Sequence, residues 1–96
     1  MADITDNEDQ QRFETTIDGR LAELTYRLEG DRMVLTHTGV PSELGGRGLG
    51  GELVRAAAAR AQAQGLTIVP RCSYARDWLE KNAGETAGLA VDWGGR

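Results

Sequence analysis

A chain of 96 residues, 40% hydrophobic and 27% charged, suits one small globular domain. Its net charge of −4 argues against nonspecific nucleic-acid binding, and one cysteine with one histidine, Cys72 and His37, excludes an internal disulfide and argues against a metal site. No apolar run approaches a membrane span or a secretory signal, so the expected compartment is the cytoplasm, with no membrane partner.

Residues 1–9, MADITDNED, are polar and acidic and read as a flexible acidic leader. From Gln11 the apolar period becomes two. Phe13, Thr15 and Ile17 alternate with polar neighbours, and Asp18-Gly19 signals a hairpin turn. Ala22, Leu24, Tyr26 and Leu28 alternate next, and Glu29-Gly30-Asp31 turns the chain again. Arg32–Val40 reads as a third, more buried strand, ended by Pro41, which has no N–H to give a ladder. These three strands form an antiparallel meander.

A helix is predicted over Leu49–Gln64, with Leu49, Leu53, Ala57 and Ala61 on one face and Val54 beside it. Gly65 is placed to end it in a left-handed conformation. LTIVP, from Leu66, is a short apolar strand, expected to lie parallel to Arg32–Val40. Ser73–Asn82 reads as a second helix, with Ser73 as N-cap and Tyr74, Trp78 and Leu79 as its apolar residues. The segment AGLAVDW reads as either a closing strand or a turn. The fold class is therefore α+β: an antiparallel β-meander followed by αβα, with the last strand parallel to a central one. The domain spans 10–82, and 83–96 is an extension of uncertain order.

Charge is uneven along the chain. Residues 1–31 carry nine acids against three arginines, whereas 32–81 carry seven bases against four acids. The positive segment holds the motif GGRGLGG, from Gly45 to Gly51. Glycine is poor in helices and alanine is the best helix former, yet the two are set side by side here. Glycine permits positive φ and the close approach of a ligand, and the first N–H groups of a helix lack internal acceptors. A glycine turn entering a stiff alanine-rich helix is thus a cup of donors suited to phosphate. A Walker loop is excluded, because no Lys-Ser or Lys-Thr follows Gly50. The dinucleotide pattern G-x-G-x-x-G matches at Gly46, Gly48 and Gly51, but after a meander rather than at the start of a larger βαβ fold. A flexible glycine connector is the bland alternative.

QRFE at 11–14, YRLEGD at 26–31, LTHTGVP at 35–41, GRGLGGELV at 46–54 and VPRCSYARDWL at 69–79 together resemble the GCN5-related N-acetyltransferases, the GNAT superfamily. More closely, they resemble its minimal single-domain members. The resemblance covers about residues 7–82. It implies that acetyl-CoA, or CoA, rests its diphosphate on the loop Gly45, Gly46, Arg47, Gly48, Leu49, Gly50 and Gly51. The pantetheine arm would lie where the central strands part, with the thioester near the end of strand 66–72. Arg47 could add charge to the phosphates.

Two departures stand out against the larger members. Gly45 replaces the Gln or Arg that usually opens the loop, and Leu79 stands where a tyrosine usually protonates the departing thiolate. The minimal members carry a cysteine at Cys72 that is suspected of a part in the reaction, as acyl acceptor or proton donor; its alternative is a small buried residue. His37, at the end of the central strand, is a candidate base for the incoming amine, with a structural histidine as its alternative. Tyr74 is a candidate hydroxyl and Glu43 a candidate base, each with a packing or surface alternative. The expected function is acetyl transfer from acetyl-CoA to an unidentified amine, on a small molecule or a protein. The alternative is a non-catalytic CoA-binding or protein-interaction module. A monomer or weak homodimer is expected.

Overall fold

The computed structural model describes residues 3–94. Five strands form one sheet in the order β1(Thr5–Asn7), β2(Arg12–Ile17), β3(Arg20–Glu29), β4(Arg32–Gly39) and β5(Thr67–Pro70). The first four run antiparallel, and β5 lies parallel to β4. A parallel neighbour requires a crossover, supplied by α1(Leu49–Gln64); α2(Ser73–Lys81) follows β5. The meander, the crossover helix and the α+β class thus match the expectation.

The turns follow their residues. Asp18 and Gly19 both take positive φ, 53° and 75°, as a two-residue hairpin between right-twisted strands demands. Gly65 ends α1 at φ 69°. The buried residues of β2 and β3, among them Phe13, Ala22, Leu24 and Tyr26, join Leu53, Val54, Ala57 and Ala61 of α1 in one core with Ala75 and Leu79 of α2. Val34 and Val69 are also buried but stand outside that cluster.

Three expectations need correction. Residues 5–7 of the supposed leader form an edge strand on β2. A half-buried polar knot holds it there. Arg60 of α1 donates to Asp6 at 2.6 Å and to the Tyr26 hydroxyl at 2.8 Å, and that hydroxyl donates to Asp6 at 2.7 Å. The Arg60 guanidinium also stands over the Tyr26 ring. No hydrophobic period betrays such a strand, because its anchor is a carboxylate. The described residues past Asn82, left of uncertain order by the sequence, likewise join the folded unit. Val91 bridges in parallel to Ile68, and Leu89, Val91 and Trp93 pack on the core. Lastly, Cys72 is the N-cap of α2 and Ser73 its first helical residue.

The Tyr26 knot carries a pH signature. Burial and the Asp6 hydrogen bond push the Tyr26 phenol up to about 12, against about 10 in an unfolded chain. The folded state therefore holds the proton more tightly. Its contribution is complete below about pH 10 and lost as pH rises towards 12. Urea unfolding should show stability falling across that window, and Tyr26→Phe should flatten this part of the slope.

Candidate functional site

The site begins with a fault in the sheet. Tyr26 pairs with Leu35 and Thr25 with His37, so Thr36 has no partner on β3 and forms a bulge. Its hydroxyl is tied to Thr25, 2.6 Å from the Thr25 hydroxyl. A bulge bends its strand, and the β4–β5 ladder ends at the same level, with Leu35 opposite Pro70. Pro70 has no N–H to continue it. The Leu35 carbonyl instead accepts both the Arg71 and the Cys72 N–H groups, at 3.0 and 3.1 Å. Beyond this point the two strands are no longer paired.

A cleft of about 300 Å³ lies beside the parting, walled by Thr38 and Val40, the glycine turn, Leu49 and Tyr74. No charged side chain lines it. Gly46 and Gly48 stand at φ 81° and 73° with open space where a side chain would begin, so the turn needs their left-handed freedom. The first intrahelical donor of α1 is Glu52, to the Gly48 carbonyl. The N–H groups of Gly46, Arg47 and Gly48, and those of Leu49, Gly50 and Gly51, have no acceptor among the described residues. Gly45 differs: its N–H is spent on the Ser42 carbonyl at 3.0 Å. The donor cup therefore starts at Gly46, one residue later than expected.

Gly50 and Gly51 have another reason to be glycine. A Cβ on Gly50 would come within 2.6 Å of the Tyr74 hydroxyl, and one on Gly51 within 2.7 Å of the Trp78 indole nitrogen. They let α2 close against the first turn of α1. Arg55 covers Trp78 from outside, 5.3 Å from its ring. Arg47 is exposed and lies outside the cleft wall.

Cys72 is half-buried where the strands part, its sulfur 3.3 Å from the Thr38 hydroxyl. Burial pushes the thiol up. The Thr38 hydroxyl and the N–H groups of Ala75, Tyr74 and Thr38 outweigh that, and hold it below the ordinary thiol value. Those of Tyr74 and Ala75 belong to the open first turn of α2. They close no capping bond of ordinary geometry, yet they favour negative charge on the sulfur.

The remaining candidates are placed differently. His37 is exposed and does not line the cleft. It sits across from Thr25, with its ring beside Gly39, on the face that Arg12 and Glu23 make polar. Alternation along β4 puts it opposite to Thr38. Glu43 is exposed beside Arg20 at 3.6 Å. Leu79 is buried in the core, so no side chain reaches the cleft from the position of the usual tyrosine. Tyr74 does line it, one turn earlier on α2. Thr38 was not anticipated, because only the bulge turns it towards Cys72. Among the described residues no group of three or more His, Cys, Asp or Glu could hold a metal ion, and no helix is long and apolar enough to cross a membrane.

A glycine turn with unpaired amides, set at the start of a crossover helix beside parted parallel strands, defines the acetyltransferase class of α+β fold. The family model of the GCN5-related N-acetyl-transferases matches residues 12–89, and the chain belongs to that family. Its fold is also similar to the solution NMR structure of a GCN5-like proposed N-acetyltransferase from Staphylococcus aureus. That similarity has a TM-score of 0.73 and 31% identity, over 99% of this chain and 95% of the other.

Proposed function

We propose that the protein binds acetyl-CoA in the cleft and transfers the acetyl group to an amine, with Cys72 as the reacting side chain. The observation that carries this reading is the row of unpaired amides from Gly46 to Gly51, of which Gly46, Gly48, Leu49 and Gly50 line the same cleft whose wall, Thr38, touches the Cys72 sulfur. The residues present fit the ligand: the donors suit a diphosphate, the uncharged wall suits an amide-linked arm, and the lowered thiol suits acyl chemistry.

Acetyl-CoA supplies an acetyl group activated as a thioester. The amides of Gly46–Gly51 hold the diphosphate end and fix the arm. The Thr38 hydroxyl and the N–H groups at the start of α2 favour the anionic form of the Cys72 sulfur. That sulfur takes the acetyl group as the coenzyme thiolate leaves, then yields it to a neutral amine, whose proton passes to solvent. Leu79 leaves the cleft without the usual tyrosine acid, and a thiolate acceptor does not need one. His37 has no part in this scheme.

The test is a titration of the isotope-labelled protein with coenzyme A. The amide resonances of Gly46, Gly48 and Gly51 should move saturably, whereas those of Gly19 and Gly30 stay fixed. Unmoved loop resonances at millimolar coenzyme would overturn the reading. Mass spectrometry after incubation with acetyl-CoA should find the added acetyl on Cys72.

A further inference from the structure

A second hollow, of about 450 Å³, is lined by both chain neighbours of Cys72. Arg71 and Ser73, the chain neighbours of Cys72, line it together with Arg32, Arg76, Asp92 and Trp93. Thr38, whose hydroxyl lies 3.3 Å from the Cys72 sulfur, and Tyr74 line the first cleft, so residues adjoining Cys72 belong to both cavities, although Cys72 itself lines neither. Their chemistry is opposite. The first cleft has no charged wall, whereas three guanidiniums face a single carboxylate in the second.

Those charges are not mutually satisfied. Arg32 pairs with Asp92. Arg76 donates to the Trp93 carbonyl at 2.9 Å, stands over the Trp93 ring and lies 4.0 Å from Glu80, which does not line the hollow. Arg71 has no carboxylate within ion-pair distance and the Ser73 hydroxyl no hydrogen-bond partner, among the described residues. The Arg71 N–H is spent on the Leu35 and Val69 carbonyls, and its guanidinium helps to lower the Asp92 carboxyl at longer range, but no hydrogen bond holds its fork of donors among the described residues, so the fork can turn to a ligand. In a chain of net charge −4, a concave surface with surplus guanidinium is an oxyanion receptor: Arg matches the two-oxygen edge of carboxylate and phosphate, and a hollow focuses that field.

We propose that this hollow binds the carboxylate or phosphate of the acceptor, and that the acceptor is an amine carrying such a group. The oxyanion site stands on the hollow itself; its assignment to the acceptor rests on the acetyl-transfer reading above. An anion seated on Arg71 and Ser73 would hold the amine of the same molecule close to Cys72, the residue between them in the chain.

The test uses the full chain, labelled for NMR, with inorganic phosphate, O-phosphoethanolamine and ethanolamine as probes. Phosphate and O-phosphoethanolamine should move the Arg71, Ser73 and Arg76 resonances saturably, and ethanolamine should not. Arg71→Gln should weaken both by at least about tenfold, Arg71→Lys by less, and neither should alter the response of Gly46–Gly51 to coenzyme A. No movement at tens of millimolar phosphate, equal responses to the two amines, or binding indifferent to Arg71→Gln would overturn the proposal. If coenzyme A leaves Gly46–Gly51 unmoved while phosphate still moves Arg71, the transferase reading fails and the oxyanion site remains.

Discussion

Cys72→Ser should lower acetyl transfer by about 10²- to 10⁴-fold, the range for loss of a group acting directly on the reacting bond. Coenzyme affinity should stay within about threefold, because the amides proposed to hold the diphosphate belong to another element. The expectation rests on where the sulfur sits: at the parting of β4 and β5, against Thr38, at the open start of α2. Serine fills the same space but has a hydroxyl that does not ionise near neutrality, so it separates chemistry from packing. The sulfur's surroundings add a second readout. Its thiol is held low by Thr38 and backbone N–H groups against the opposing effect of burial. Alkylation by iodoacetamide should therefore rise with pH about a midpoint below that of a free cysteine, and Thr38→Val should move the midpoint up. A folded-state value below the unfolded one means stability gained as pH rises through that window, and Cys72→Ser should remove that gain. Full activity in Cys72→Ser would make the cysteine a structural residue and shift the chemistry elsewhere in the cleft.

Much of this architecture is legible from the residues, and the exceptions share a cause. Period-two alternation and turn chemistry give β2, β3 and β4, and the apolar face from Leu49 to Ala61 gives α1 to the residue. These are local patterns with a buried side, which sequence displays directly. The edge strand β1 is held by Asp6, Arg60 and Tyr26, three polar residues far apart in the chain, and leaves no periodic trace. Val91 joins the sheet through a single bridge to Ile68, too short a contact to pattern its neighbours.

Within the site, the glycine turn is visible because its composition is extreme, but the five glycines do three jobs. Gly46 and Gly48 supply left-handed backbone, Gly50 and Gly51 admit Tyr74 and Trp78, and Gly45 closes a turn on Ser42. Sequence cannot divide them, because the last two answer to a helix that comes more than twenty residues later. The bulge at Thr36 is equally silent, and it has the larger consequence. One extra residue reverses the alternation of β4, which turns Thr38 towards Cys72 and leaves His37 on the open face.

The division of labour in the loop gives the second large effect. Gly48→Val should weaken coenzyme A binding by at least about 100-fold, near 2.7 kcal/mol. Gly48 is the N-cap of α1, at φ 73°, where a β-branched residue costs on the order of 1–3 kcal/mol in backbone strain. The protein itself leaves room for a side chain, since nothing lies within 4 Å of the added Cβ. Gly48 lines the cleft, so a valine there would crowd the proposed ligand, and relief of strain would swing the Gly48 and Leu49 amides off their aim. Gly19→Val is the matched control: it stands at φ 75° in a hairpin, also with open space around it, and outside the cleft wall. The two substitutions should lower the unfolding temperature by similar amounts, and only Gly48→Val should lose the coenzyme. Asparagine tolerates the left-handed region, so Gly48→Asn should recover the stability while still losing affinity through its added side chain. Equal coenzyme affinity in Gly48→Val and Gly19→Val would mean that the turn is a connector, and that the amides of Gly46–Gly51 hold no diphosphate.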